Sequence, residues 1–254
     1  MKQNKPKVLL YDIETSYTVG AVWGLYEQNV VKVLREPYII SVAWKWLGEK
    51  TTQVVTLPNF ATAYKLDKHS DIMIVKYLRE LFDKADVIIA HNGNAFDQKW
   101  VYGRFAVYGI NPPSPAKYID TLLIARNKFK FNSNRLNDLS KYFSLGEKVD
   151  TGGIDLWVNC IEKDCKKSWK LMAKYNKQDV VLLEKVYKKL LPYITNHPNL
   201  ALMNGETQAC PNCSGFNVIR RGFNYTKAGK FQQWQCEDCG SWHSSPLTGN
   251  KQIR

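Results

Sequence analysis

The sequence predicts an α/β protein in which strands and amphipathic helices alternate, followed by a small cysteine-containing module. Short runs of β-branched and aliphatic residues are separated by segments whose apolar residues recur every three or four positions. Two of these runs stop abruptly at acidic or amide residues, and a pair of C-x-x-C motifs lies near the C-terminus. We therefore expect a sheet flanked by helices, with polar groups gathered at one of its edges.

The composition suits a globular protein with an anionic partner. Of 254 residues, 44% are hydrophobic and 13% aromatic, and the formal net charge is +13. That charge favours a polyanion such as nucleic acid or an anionic membrane surface. No run is long and apolar enough to span a bilayer, and Met1–Lys7 does not begin a signal peptide. We expect a cytoplasmic protein that does not bind a membrane.

The first predicted strand, Lys7–Asp12, ends at two acids, Asp12 and Glu14. Residues two apart on a strand point to the same side, so both carboxylates should project together. Two such acids repel each other unless a cation lies between them, and hard divalent ions such as Mg²⁺ or Mn²⁺ take oxygen ligands. The pair predicts a metal site if partners lie elsewhere in the chain.

Two further strands follow a long connection, Thr15–Arg35, to which the sequence assigns no role. Tyr38–Trp46 and Thr51–Leu57 are separated by a short turn, so they should pair antiparallel. We expect the tryptophans in this part of the chain to pack in the core rather than to stack on bases.

The next segments predict a helix, a buried strand and a second helix. A helix through Ile72–Phe82, with Ser70 or Asp71 as its N-cap, leads to the strand Asp86–Ala90. Polar residues then run from His91 to Asp97, at the edge of an open sheet where ligands collect. A helix over Asp97–Tyr108 follows.

The middle of the chain offers candidate contacts for an anion. After the apolar segment Tyr118–Leu123, in which Asp120 is either another site acid or a helix cap, cations, aromatics and amides interleave over residues 128–135. Lys128, Lys130 and Arg135 suit contact with a nucleic-acid strand, although a solvated loop would look the same.

Two helices complete this part of the chain. The first covers Leu136–Phe143, and the second is long, from Ser168 to Tyr193. In the long helix Tyr175 and Asp179 are four residues apart and share a face.

Taken together, the acidic residues resemble the DEDD family of 3′-5′ exonucleases, in its tyrosine subclass. Asp12-Ile13-Glu14-Thr15 matches the first motif, and Asn92 to Asp97 is similar to the N-x-x-x-F-D of B-family DNA polymerase proofreading domains. Tyr175 to Val180 matches the third motif. The resemblance covers roughly residues 7–195.

The resemblance implies a ribonuclease H-like fold with a mixed sheet, and two divalent ions held by Asp12, Glu14, Asp97 and Asp179. By analogy Asp12 touches both ions, Glu14 and Asp179 hold the ion that binds the attacking water, and Asp97 helps to hold the pair. Tyr175 would orient that water. Asn92 would contact the substrate strand.

The chain leaves no room for a polymerase domain, which predicts a free-standing nuclease. We expect DNA rather than RNA as its substrate, although the phosphodiester chemistry is common to both and leaves RNA trimming open. A nucleic-acid-binding protein on a nuclease scaffold, without catalysis, is the alternative.

The C-terminal module contains two C-x-x-C pairs, Cys210/Cys213 and Cys236/Cys239. Four thiolates at this spacing predict a closed tetrahedral zinc site of structural type, and the module resembles a zinc ribbon. Disulfides between these cysteines are the alternative. Domains of 1–197 and 198–254 follow from this interpretation. Arg220 and Arg221 are predicted substrate contacts, and a protein-docking role for the module is the alternative.

Overall fold

In the computed structural model, residues 5–26, 29–227 and 229–247 are described. Residues 1–4, which belong to the Met1–Lys7 segment predicted not to begin a signal peptide, lie outside the described residues. Residues 27 and 28 of the Thr15–Arg35 connection also lie outside them. Among the described helices, none combines the length and the apolar character that crossing a membrane requires.

The strands form three sheets. They are β1 Val8–Thr15, β2 Val19–Ala21, β3 Lys32–Arg35, β4 Ile39–Trp46, β5 Gln53–Thr56, β6 Val87–Ala90, β7 Lys117–Asp120, β8 Val218–Thr226, β9 Gly229–Cys236 and β10 Trp242–Pro246. The largest sheet has the order β5-β4-β1-β6-β7. Strand β4 pairs antiparallel with β1 and β5, whereas β6 pairs parallel with β1 and β7. The predicted α/β class and mixed sheet are confirmed.

The helices flank this sheet. They are α1 Ala61–Leu66, α2 Ile72–Asp83, α3 Asp97–Val107, α4 Thr121–Lys128, α5 Leu136–Tyr142, α6 Ile154–Ile161, α7 Lys166–Leu190 and α8 Leu200–Met203. Short 3-10 turns occupy Leu57–Asn59 and Leu191–Tyr193. The 3-10 turn that contains Pro192 ends α7, because proline cannot continue the hydrogen-bond ladder of a helix.

Two faces of the sheet bury separate cores. Alternate β1 residues point to opposite sides, so Leu9 and Tyr11 pack with α2, while Val8 and Leu10 pack with α7. Trp44 is buried and Trp46 packs against the first core, as predicted, but Trp23 is 87% exposed. Helix α7 therefore lies across one face of the sheet, with its inner side facing β1.

Several sequence predictions need correction. Strand β1 continues through Glu14 to Thr15 instead of ending at Asp12, because β4 pairs with its whole length. Asp71 precedes α2 at the predicted position, yet its carboxylate does not cap the helix. Instead it accepts hydrogen bonds from Arg104, from Tyr108 and from the backbone N–H of Ile39. Helix α6 and the β2–β3 hairpin were not predicted.

A candidate metal-binding acid site beside a polar cleft

Three of the predicted acids meet at one place. One carboxylate oxygen from each of Asp12, Glu14 and Asp179 lies within 4.8 Å of the other two. Strand β1 supplies the first two, and they project to the same side because they are two residues apart. Helix α7 supplies Asp179, which is 2% exposed. Asp97 is not one of this group of three.

Asp97 lies next to the three acids and is tied to β1. It is the first residue of α3, 3% exposed, and its Oδ1 accepts a hydrogen bond of 3.3 Å from the backbone N–H of Ile13. Its charge raises the pKa of Asp12, after the larger effects of burial and of Glu14. The structure thus brings the fourth predicted acid to the same strand edge.

Hydrogen bonds to Asp120 and a close backbone contact fix the loop that precedes Asp97. Asn92 adopts a left-handed backbone (φ 66°), and a Cβ on Gly93 would lie 2.5 Å from the Cβ of Ala90. Asp120 accepts hydrogen bonds from the N–H of Asn92 (2.9 Å) and of Asn94 (3.1 Å). It also caps α4. Of the two roles open for Asp120, the capping role is confirmed.

Burial raises the pKa of every acid in the site, and repulsion by the other site acids adds to this shift at Asp12 and Glu14. The pKa of Glu14 rises to about 8, because of burial first and the nearby charge of Asp179 second. Burial raises the pKa of Asp97 to about 7. The pKa of Asp179 also rises through burial, although Lys148 opposes the shift. Such a cluster is electrostatically unsatisfied without cations.

Lys148 is a site residue that sequence analysis missed. Its ammonium donates a hydrogen bond to Asp179 Oδ2 and another, of 3.3 Å, to the hydroxyl of Tyr175. Burial, the largest single contribution, lowers the Lys148 pKa, but the charge of Asp179 and the hydrogen bond to it outweigh burial and raise that pKa. Lys148 therefore stays charged and is a built-in counter-ion beside the acids.

Asn176 was also missed, although it lies within the third motif. It is fully buried, and its Nδ2 donates a 2.7 Å hydrogen bond to Asp12 Oδ2. Its Oδ1 accepts a 2.7 Å hydrogen bond from the hydroxyl of Ser41. Asn176 thereby fixes the rotamer of Asp12. A polar residue on the apolar face of the predicted long helix was the sequence signal that could have identified Asn176.

Tyr175 lies beside Asp179 and Lys148. Burial, followed by the charges of Asp179 and Glu14, raises its pKa above the ordinary value for tyrosine, so the phenol remains protonated. Helix α6 supports the ring, since Trp157 contacts it edge-on with ring centroids 6.1 Å apart. The indole of Trp157 donates to the carbonyl of Thr15 and so joins α6 to the end of β1.

A polar cleft of about 800 Å³ opens from Asp12 and Lys148. Asn92 and Arg135 are among the residues that line it, but Lys128 and Lys130 are not. Both lysines are exposed to solvent away from the cleft. Lys128 still belongs to α4, and the aromatic residues on either side of Lys130 pack on the domain.

His91 fixes one wall of the cleft. Its ring nitrogens lie 2.9 Å from the Thr121 hydroxyl and 2.9 Å from the Asn134 carbonyl. Burial lowers its pKa to about 4, so the ring is neutral near pH 7. The contact attaches the loop that carries Arg135 to the end of β6.

The four predicted cysteines also converge. All four Sγ atoms lie within 4.8 Å of one another, and the Cys210–Cys239 and Cys213–Cys236 pairs are each 3.7 Å apart. All four cysteines are free thiols, so the disulfide alternative is wrong. A tetrahedron with zinc–sulfur bonds of about 2.3 Å has edges of about 3.8 Å, so this arrangement fits a bound metal.

The cysteine module packs on the C-terminal end of α7. Asn212 donates to the carbonyl of Leu191 (3.4 Å) and to Ser241 Oγ (3.1 Å). Arg220 lies over the Trp234 ring at 5.4 Å, and Arg221 bonds Gln235. Both predicted arginine contacts are exposed in this module and do not line the acid cleft.

Comparisons with known proteins agree with the fold. One solved structure similar to the chain is that of the family B DNA polymerase from the hyperthermophilic archaeon Pyrobaculum calidifontis, with a TM-score of 0.54 and 15% identity. The alignment covers 88% of this chain and 31% of the polymerase, so the chain spans about a third of that protein's length. A search of curated proteins gave no match.

A family model described as RNase_H superfamily matches residues 34–191. The matched region contains β4 to β7 and the helix that carries Asp179. Since this match covers more than half of the sequence, the chain belongs to the RNase_H superfamily.

Proposed function

We propose that the protein is a metal-dependent 3′-5′ exonuclease of the tyrosine subclass of DEDD nucleases, acting on single-stranded or frayed 3′ ends of DNA. The observation that carries this proposal is the convergence of Asp12, Glu14 and Asp179 within 4.8 Å on an RNase H-like sheet. The fold similarity to a DNA polymerase supports DNA as the substrate class.

The acid site fits hard divalent cations. Its donors are carboxylate oxygens, and the raised pKa values of Glu14 and Asp97 show that the anionic forms lack compensation from the protein alone. Asp12, Glu14, Asp97 and Asp179 would hold two Mg²⁺ or Mn²⁺ ions. When bound, such ions lower the pKa of a coordinated water and stabilise the attacking and leaving oxygens of an in-line displacement.

The chain's own residues position the reactants. The Tyr175 hydroxyl accepts a hydrogen bond from Lys148 and also bonds the Asp179 carboxylate. Held beside the acids in this way, Tyr175 would orient the attacking water, while Asn176 keeps the Asp12 carboxylate in place. Asn92 and Arg135 contact the terminal nucleotides from the cleft wall.

We further propose that residues 198–254 form a zinc ribbon with one structural Zn²⁺ bound by the four cysteines, next to a nuclease domain of residues 1–197. The sulfur–sulfur distances and the absence of an open ligand position among the four thiols support this role. Arg220 and Arg221, on the exposed side of β8, would contact the substrate strand, with Lys128 and Lys130 as peripheral contacts.

The test is digestion of a DNA strand and an RNA strand of the same sequence, each labelled at the 5′ end, with Mg²⁺ or Mn²⁺. We expect a ladder that shortens from the 3′ end of the DNA, is lost in Asp12→Ala, and persists in the control Glu80→Ala, an exposed acid of α2.

Other outcomes would point to the alternatives. Cleavage of RNA alone would make the protein an RNA-trimming enzyme. If wild-type protein binds both strands and cuts neither, the protein is a nucleic-acid-binding protein on a nuclease scaffold.

A further inference from the structure

A groove separate from the acid cleft runs between the first half of α7 and β5, the edge strand of the large sheet. Two cavities, of about 580 and 760 Å³, adjoin there and share Val54, Lys170 and Ala173 in their walls. The groove is therefore continuous along the helix.

Lysines dominate the charge of this groove. Those without an ion pair in the described parts of the chain are Lys50, Lys65, Lys166, Lys170, Lys174 and Lys177. The acid in the lining, Asp164, is already paired with Lys68 and accepts a hydrogen bond from Tyr64. The groove thus presents several uncompensated positive charges.

The helix arranges four of these lysines in a row. Positions 166, 170, 174 and 177 are three or four residues apart and share one face of α7. They span eleven residues, or about 16 Å of helix, which equals the rise of roughly five base pairs. Lys174 precedes Asp179 by five residues, about 140° around the helix axis, so the row faces away from the acids.

We propose that this lysine groove binds the phosphate backbone of nucleic acid, at a second contact outside the acid cleft. The inference rests on the proposed nucleic-acid substrate but not on its cleavage. The six unpaired cations are lysines, which bind phosphates as point charges. Four of them form a row of about 16 Å along α7, and this extent suits the regularly spaced phosphates of a nucleic-acid backbone.

The experiment measures the salt dependence of binding to a DNA duplex with a single-stranded 3′ end, by fluorescence anisotropy between about 50 and 200 mM KCl. The full zinc-loaded chain carries Asp12→Asn to prevent digestion. The groove variant is Lys166→Gln/Lys170→Gln/Lys174→Gln. Each lost phosphate contact should lower the slope of log Kobs against log salt by about 0.9, or about 2.7 in total.

The matched control removes three exposed lysines on the other side of the domain, Lys76→Gln/Lys84→Gln/Lys117→Gln, which changes the net charge equally. We expect its slope to remain close to that of the parent protein. Equal slopes for the two triple variants would overturn the proposal, since bulk charge would then explain binding. An unchanged DNA slope, with loss of binding to polyglutamate in the groove variant, would assign the groove to an acidic peptide.

The single change Lys170→Gln, with an expected slope change of about 0.9, provides a second measurement if the triple variant folds poorly. Failure of the groove proposal leaves the 3′ ladder of the wild-type protein intact. Conversely, absence of cleavage leaves the groove's salt dependence measurable.

Discussion

The raised pKa values of the acid site predict that, without Mg²⁺ or Mn²⁺, ionisation of Glu14 and Asp97 destabilises the folded protein as the pH rises from 6.5 to 8. In this window Glu14, with a pKa of about 8, and Asp97, with a pKa of about 7, keep protons in the folded state. In the unfolded chain both groups are already ionised. Because the folded state binds more protons, raising the pH destabilises it.

The magnitude follows from the two pKa values. One pKa unit corresponds to about 1.4 kcal/mol, and integration of the proton difference over this window gives about 1.6 kcal/mol for Glu14 and about 0.8 kcal/mol for Asp97. The two acids together contribute a decrease in the free energy of unfolding of about 2.4 kcal/mol. Other groups act with the opposite sign: burial keeps His91, His197 and His243 neutral in the folded state while the unfolded chain still protonates them near pH 6.5, and zinc-bound thiolates take up protons when the metal is released. A comparison with Glu14→Gln removes these contributions, because both proteins share them.

Urea denaturation of zinc-loaded wild type and Glu14→Gln, at several pH values with and without Mg²⁺, measures this effect. Without Mg²⁺ the free energy of unfolding of wild type relative to Glu14→Gln should fall by about 1.6 kcal/mol between pH 6.5 and 8. Mg²⁺ should remove most of this fall, because a bound cation favours the ionised carboxylates. A difference between the two proteins that stays constant or rises from pH 6.5 to 8 would refute the reasoning.

Three further predictions concern the ion pairs and the zinc site. Asp71→Ala leaves the Arg104 guanidinium without its buried partner, so the free energy of unfolding should fall by about 3 to 5 kcal/mol in urea denaturation. Lys148→Met should lower kcat about 100-fold by misplacing Tyr175, while calorimetry shows tighter Mn²⁺ binding because the ammonium no longer competes for Asp179. Cys213→Ser should release the zinc and unfold the module, measured by metal content and by near-ultraviolet circular dichroism.

Each of these changes has a control. Lys141→Ala removes an exposed ion pair with Glu147 and should cost less than about 1 kcal/mol. Lys189→Met, which changes an exposed lysine in the last turn of α7, should leave both kcat and Mn²⁺ affinity unchanged. Cys165→Ser removes a cysteine outside the cluster of four and should keep the zinc. A control that behaves like its partner variant would contradict the corresponding explanation.

The sequence predicted the central sheet because its strands carry their own signals. The strands β1, β4 and β6 are β-branched runs buried on both faces, so they read as continuous apolar segments. The β2–β3 hairpin was missed because its strands are largely exposed and have no alternation of buried and exposed residues. Helix α6 directly follows Gly152 and Gly153, which indicate a break in the chain, and the helix was therefore missed.

The acids of the site were predictable, but the groups that control them were not. Asp12, Glu14 and Asp179 stand at positions fixed by strand and helix periodicity, so their meeting follows from secondary structure and strand order. Lys148 is one of 36 basic residues, and it lies in a loop 31 positions before the acid that it pairs with. No local pattern marks such a residue, because its proximity to Asp179 arises only when α5, α6 and α7 pack together. Any change to that loop should therefore alter the electrostatics of the site while every predicted acid stays in place.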